Sequence, residues 1–336
     1  MAESDQPSES SRSRWLNGIW ASVPTPLTAT GALDRHGLAA NVEHYASDLL
    51  LDGVYCNGIM GEGESLTLDE RRETAETITS AATDRLNVGV VVTASSLQET
   101  ICLATHAEQI GAHHVIVAPA PEVDNTLLEL RRYVEGVRES CSLPVVIVEP
   151  SCGGFGMHTL EPLVAPPTPI SAIKVGSSRD DVARLHRMCE GDLVITDPCE
   201  VNWLSNLIEF DMTVLYADPE PYLFQNAAFR PIQSYYEAFL KNDNDQAQRI
   251  SASLSPIRTF YDRMIMKPLR AGHSPVPVLK AWSEFLGLAA GPPRRPHAPL
   301  HSDVRNELFR TLTSLWPRPD PSPENVSHSY WGMRDD

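Results

Sequence analysis

The strongest constraint on the fold of this chain is an alternation that begins at Gly18, in which short apolar runs are each followed by an amphipathic stretch. The apolar runs are Gly18–Val23, Gly53–Gly58, Asn87–Thr93, His114–Ala118, Pro144–Glu149, Ser171–Val175, Leu193–Thr196 and Met212–Ala217. Their length and β-branched content read as strands. Helical periodicity falls between and after them, over about 36–51, 68–83, 96–110, 125–140, 158–165, 178–190, 199–209 and 220–240. Thr67-Leu68-Asp69-Glu70 and Ser96-Leu97-Gln98-Glu99 both fit the capping box, in which side chains satisfy the free amides of a first helical turn. Eight strand–helix pairs within about 220 residues predict a parallel sheet with helices outside, and closure into a (β/α)8 TIM barrel is the most economical α/β solution. The open doubly wound sheet is the alternative. It lacks its glycine-rich phosphate turn here, since no G-x-G-x-x-G follows the first strand and there is no P-loop.

Further helical segments follow at about 244–266, 276–287 and 301–316, separated by Pro- and Gly-containing breaks. The expected organisation is a disordered leader over 1–16, the barrel over 17–243, C-terminal helices packed on it over 244–317, and a disordered Pro/Ser-rich tail over 318–336. The formal net charge of −17 argues against nucleic acid, which needs clustered basic residues. The six cysteines show no CxxC and no metal-ligand spacing, so reduced thiols and no metal or cofactor are expected. No apolar run approaches the roughly 18 residues of a membrane span, and Met1 to Arg14 has no apolar signal-peptide core. A soluble cytoplasmic protein that takes a small molecule follows.

Chemistry points to Ser171-Ala172-Ile173-Lys174-Val175-Gly176. Only four lysines occur, Lys174, Lys241, Lys267 and Lys280, and the first sits inside an apolar strand. Burial strips its hydration and pushes it toward the neutral amine, the form that attacks a carbonyl to give a Schiff base. A lysine paired with a carboxylate is the plainer reading of the same position.

In such a barrel the active site lies at the C-terminal ends of the strands. The residues there are Thr25 after strand one, Gly61, Glu62, Gly63, Glu64 and Ser65 after strand two, and Thr93 after strand three. Pro119-Ala120-Pro121 follows strand four, Val148-Glu149-Pro150 ends strand five, and Thr196-Asp197 and Tyr216-Ala217-Asp218 end strands seven and eight. Gly61 and Gly63 would let backbone amides approach a ligand. Glu64 reads as an internal acceptor that holds the turn, and Glu62 either as an exposed loop carboxylate or as an acid/base. Glu149, Asp197, Tyr216 and Asp218 complete the acid/base candidates. If Val148 faces the interior, strand alternation turns Glu149 away unless the strand has ended.

Across roughly residues 17–317 the chain resembles the dihydrodipicolinate synthase and N-acetylneuraminate lyase family. The likeness rests on Thr25-Pro26, Gly63-Glu64-Ser65-Leu66-Thr67-Leu68 with Glu70-Arg71, Gly111-Ala112, Leu143-Pro144-Val145, Ala172-Ile173-Lys174, and Leu279-Lys280-Ala281 with Gly287. The resemblance implies that Lys174 forms an imine with a 2-oxo acid, usually pyruvate, and that the protein is a homo-oligomer, a dimer or tetramer. It also marks departures. Where the family usually reads Gly-Thr-Thr-Gly-Glu-Ser, this chain has Met60-Gly61-Glu62-Gly63-Glu64-Ser65, so both hydroxyls that hold the keto acid's carboxylate are gone. The family's strand-five tyrosine falls on Val148, and the tyrosine lent by a neighbouring subunit falls on Ala120 or Pro121.

The resulting expectation is a Schiff-base lyase of aldolase, hydratase-aldolase or dehydratase type. Lys174, Glu62, Tyr216 and Glu149 would be its catalytic groups, with a specialised carbonyl substrate that lacks the usual carboxylate or offers Glu62 a cation or hydroxyl. An imine-independent barrel enzyme of hydrolytic or ring-opening type, using carboxylates, and a non-catalytic metabolite-binding regulator remain the alternatives.

Overall fold

The computed structural model describes residues 15–118, 127–149, 154–189 and 193–315. Its eight strands are β1 (Gly18–Ser22), β2 (Gly53–Cys56), β3 (Asn87–Val91), β4 (His114–Val117), β5 (Val145–Val148), β6 (Ala172–Lys174), β7 (Val194–Thr196) and β8 (Val214–Ala217). All are parallel, in the order β7-β6-β5-β4-β3-β2-β1-β8, and β8 packs beside β7, so the sheet is a nearly closed TIM barrel. Each strand lies within the run expected for it. The helices around it are α1 (Arg35–Glu43, extended by a π turn over His44–Asp48), α2 (Leu68–Ala82), α3 (Leu97–Gln109) and α4 (Leu127–Ser140). They continue with α5 (Met157–Val164), α6 (Arg179–Met188) and α7 (Glu200–Phe210). Both capping boxes form: Thr67 accepts from the Glu70 amide, and Ser96 from that of Glu99.

The eighth helix is broken. A short α8 (Glu220–Leu223) is followed by a turn before α9 (Pro231–Leu240). In that turn the Asn226 side chain accepts from the Ala228 and Phe229 amides, and Pro231 then opens the next helix, where a missing N–H costs nothing. The C-terminal part also divides further than expected, into α10 (Asn244–Ser253), α11 (Ser255–Tyr261), α12 (Lys267–Arg270), α13 (Val276–Phe285) and α14 (Ser302–Leu315). Ser255-Pro256 breaks the first of these segments because proline cannot extend the preceding helix. Among the described residues no helix is long and apolar enough to cross a membrane.

Strand alternation sorts the core into two sets. Ile19, Ala21, Val54, Cys56, Val115, Ile147, Ile173 and Leu215 face outward and pack under the helices. Trp20, Tyr55, Val91, Ile116, Val146, Ala172, Val194, Val214 and Tyr216 fill the barrel. Leu16, fully buried, joins this interior set and Trp15 stacks on His113, so the end of the expected leader is packed beneath the barrel.

Large and small residues interlock in this interior. A Cβ at Gly53 would lie 2.3–2.4 Å from ring atoms of Trp20, and one at Gly89 would lie 2.5 Å from His114 Nε2. The glycines are spaces into which the aromatic groups fit. Gly53→Ala is expected to displace Trp20 and destabilise the barrel by about 1–3 kcal/mol, the usual cost of overpacking, read as a lower denaturant midpoint at unchanged slope.

Candidate active site

Lys174 ends β6, pairs in register with Val148 and Thr196, and turns its side chain into the barrel, where it is 4% exposed. Among the described residues, two groups meet its ammonium. Nζ donates to Tyr55 Oη at 2.7 Å and to Asp218 Oδ1 at 2.6 Å. The Tyr55 hydroxyl lies 2.8 Å from the Ala217 carbonyl oxygen and 3.0 Å from Asp218 Oδ1. These are short, charge-assisted bonds, and the carboxylate compensates the burial of the lysine. The Asp218 side chain is 20% exposed, against 4% for that of Lys174. Burial, followed by the Asp218 charge, raises the Tyr55 phenol well above its ordinary value, so Tyr55 keeps its proton.

Tyr55 carries no signal at a strand end. It lies inside β2, level with Ser22 and Gly89, and crosses the barrel interior to reach Lys174. Period-two alternation from Val214 and Tyr216 places Asp218 on the inner side just beyond β8.

Tyr216 sits one layer below. Its ring stacks against Tyr55 with centroids 4.7 Å apart and planes 5° from parallel, and its hydroxyl meets His114 Nε2 at 2.6 Å. Burial pushes the Tyr216 phenol well up and the His114 imidazole well down, so both are neutral. Tyr216 therefore supports the ring of Tyr55 rather than reaching the lysine.

The other candidates divide in the same manner. Glu149 turns away from the interior, as alternation from Val148 requires, and its carboxylate accepts from the Ser177 amide at 3.1 Å and the Ser177 hydroxyl at 2.8–2.9 Å. Val148 packs partly buried against the barrel's inner cluster. Asp197 holds the turn that leads into α7, accepting from the Cys199 amide and from the side-chain amides of Asn202 and Asn206. Thr196 is fully buried beside Lys174, and the Thr93 hydroxyl bridges to the carbonyl and amide of Ala118.

In the loop after β2, Thr25 donates to the Gly61 carbonyl at 2.7 Å. The amides of Gly61 and Gly63 both bond the Gly58 carbonyl, that of Glu62 bonds Ile59, and that of Ser65 bonds Glu62. Glu64 is exposed. Glu62, in left-handed backbone with φ 55°, carries the structural load instead. Its Oε1 lies 2.5 Å from Lys280 Nζ on α13, and its Oε2 accepts from the Arg294 amide at 2.7 Å. Both side chains of this pair are buried, at 0% and 2% exposure. Burial lowers the Lys280 amine while Glu62 opposes the shift. The segments Pro119-Ala120-Pro121 and Pro150 lie outside the described residues.

Lys280→Met is expected to leave Glu62 buried without its partner and to lose about 3–5 kcal/mol. Adding Glu62→Gln should recover most of that loss, measured by denaturant unfolding of the two single variants and the double variant.

A family model described as the dihydrodipicolinate synthetase family matches residues 15–205. Similar curated proteins include 4-hydroxy-tetrahydrodipicolinate synthase of Prochlorococcus marinus, 24% identical over 304 residues that cover 88% of this chain and 94% of that one. N-acetylneuraminate lyase of Rhizobium meliloti is 24% identical over 283 residues, covering 84% and 89%. Among solved structures, a dihydrodipicolinate synthase of Bacillus anthracis superposes with a TM-score of 0.75 at 20% identity, over 90% of this chain and 99% of that one.

Proposed function

From the premise that this chain belongs to the dihydrodipicolinate synthetase family and is a lyase of that kind, we propose that Lys174 forms a Schiff base with a carbonyl substrate other than a simple 2-oxo acid. The observation that carries this reading is the triad of Lys174 Nζ, Tyr55 Oη and Asp218 Oδ1 inside the barrel mouth. Asp218 takes a proton from the ammonium and the freed amine adds to the carbonyl carbon. The carbinolamine hydroxyl leaves as water with that same proton, passed by Tyr55, and the iminium remains on Lys174. In aldol cleavage the iminium accepts the electron pair of the Cα–Cβ bond as the β-hydroxyl gives up its proton, and the resulting enamine is protonated and hydrolysed to release product. In dehydration the iminium accepts the pair of a Cα–H bond, the enamine expels the β-hydroxyl as water with the proton removed, and the unsaturated iminium is hydrolysed. Tyr55, joined to both Lys174 and Asp218, is the phenol through which a proton moves between the nitrogen and the substrate oxygen.

The substrate class follows from what the mouth can bind. The loop amides that would cradle a carboxylate are committed inside the loop, at Gly61, Glu62, Gly63 and Ser65. Neighbouring cations are also committed: Lys280 to Glu62, Arg294 to Glu70, and Arg71 to the carbonyls of Val91 and Thr93. The charge facing the site is the Asp218 carboxylate, which favours a neutral or cationic carbonyl compound over an anionic one.

Incubation with a panel of carbonyl compounds and borohydride is expected to add the reduced mass of a neutral or cationic aldehyde or ketone at Lys174, located by peptide mass spectrometry. Trapping confined to pyruvate-type acids would overturn the substrate class, and no trapping at Lys174 would overturn the imine. Tyr55→Phe should still trap but turn over about 10²-fold or more slowly, the usual loss for a positioned proton donor.

A further inference from the structure

Two positions beyond Asp218 the chain buries a second carboxyl. Glu220 opens α8, is 6% exposed, and has an Oε2 with no hydrogen-bond partner among the described residues. Asp218 and Lys174 face it from the ends of β8 and β6, and Glu200 from α7. Tyr222 faces it from its own helix, Tyr261 from α11, Tyr235 from α9, and the Cys199 thiol from the start of α7. The hydroxyl of Tyr261 is itself buried without a partner among the described residues.

None of these groups offers Glu220 a free counter-charge. Lys174 is paired with Asp218, and Arg258, the cation nearest Glu200, holds that residue through two nitrogens at 2.7 and 2.8 Å. An ionised carboxylate here would be buried, unpaired and close to two other carboxylates, an arrangement that proteins avoid by keeping the group neutral. Burial, and after it the Asp218 charge, raise the Glu220 carboxyl well above the ordinary carboxylate range.

We propose, resting on the Schiff-base reading above, that Glu220 is a positioning residue that stays protonated beside the Lys174–Asp218 pair, so that Asp218 alone carries negative charge facing the reacting amine. The proton of imine formation still passes from Lys174 to Asp218 and leaves with water, and Glu220 keeps its own proton throughout. Its work is electrostatic. One negative charge lets the ammonium release its proton to Asp218, whereas a second charge at Glu220 would hold the ammonium in place. A neutral Glu220 is also a donor, able to bond the oxygen of a neighbouring phenol.

The test is Glu220→Gln, a permanently neutral copy of the protonated acid. At pH 7 it should trap carbonyl compounds at Lys174 as the wild type does and keep kcat/KM within about threefold. Its basic limb should move up by at least about one pH unit, because the group whose ionisation inhibits the wild type is gone. Stability provides a readout independent of turnover. The folded wild type retains a proton that the unfolded chain loses at about pH 4.3, so above that value Glu220 contributes a loss of stability with rising pH that Glu220→Gln lacks. The thermal midpoint of the variant should therefore gain on the wild type with increasing pH.

A basic limb unchanged by the substitution, or a folded variant that traps normally but turns over about 10²-fold slower at pH 7, would overturn the proposal. If Glu220→Gln does not fold, infrared spectroscopy of wild type selectively carbon-13-labelled at glutamate decides. A shifted carboxylic-acid carbonyl band at neutral pH supports a protonated glutamate, and its absence overturns the proposal. Wild type that shows the band but forms no trapped imine would overturn the Schiff-base reading, and with it the role assigned to the proton.

Discussion

A lysine ammonium inside a barrel of valine, isoleucine and tyrosine is untenable without a counter-charge, and the rest of the site follows from supplying one. The desolvation cost of a single buried ion is several kcal/mol, and a carboxylate within hydrogen-bond reach is the available remedy. Asp218 provides it at 2.6 Å. Lys174 stands on β6, Asp218 just beyond β8, and Tyr55 on β2, and none of these strands neighbours another of the three in the sheet order. The triad therefore exists only when the sheet curls into a barrel. The geometry of the triad and barrel closure are one constraint here, and the interlocking of Trp20 with Gly53 and of His114 with Gly89 serves both.

The interior below the triad is unusually polar for a packed barrel. Tyr216, His114, His113 and Trp15 form a connected column, with the Tyr216 hydroxyl bonded to His114 and the Trp15 ring stacked on His113. Each polar atom that Tyr216 and His114 present to one another is satisfied, so the column is rigid without any charge in it. The flat stack of Tyr55 on Tyr216 passes that rigidity upward, which fixes where the Tyr55 hydroxyl stands relative to Lys174 Nζ. An aliphatic layer in place of Tyr216 would fill the space but leave the Tyr55 ring free to tilt.

What could be read from the sequence was whatever depends on local period. Strand alternation is local, so all eight strands lie within the expected runs, Lys174 falls at the end of β6, and Glu149 is turned aside once Val148 faces in. The break in the eighth helix escaped because Asn226 fits a helix as well as a turn. Its capping of Ala228 and Phe229 becomes a signal only when paired with Pro231. Tyr55 escaped for a different reason. A tyrosine within an apolar strand has the same pattern whether it is packing or touching the Lys174 amine, and only the register across a closed barrel separates the two.

The fate of Glu62 shows the limit most clearly. Its loop position fits a solvated carboxylate and an acid/base equally well, and the structure buries it. It is paired with Lys280, 218 positions away, in a contact that no local pattern encodes. A buried pair of this kind is weak evidence for net stability, since a hydrophobic pair of similar volume can do as well, but it specifies one arrangement strongly. Together with Arg294, which reaches Ser65, Gly31 and Glu70, it ties the loop after β2 to the segments following α13. The loop's left-handed turn at Glu62 and its internally bonded amides are thus held from outside the barrel, by helices that contribute no group to the triad. That arrangement makes the C-terminal helices part of the site's architecture. The loop's shape is fixed by a buried ion pair and by amides bonded within the loop.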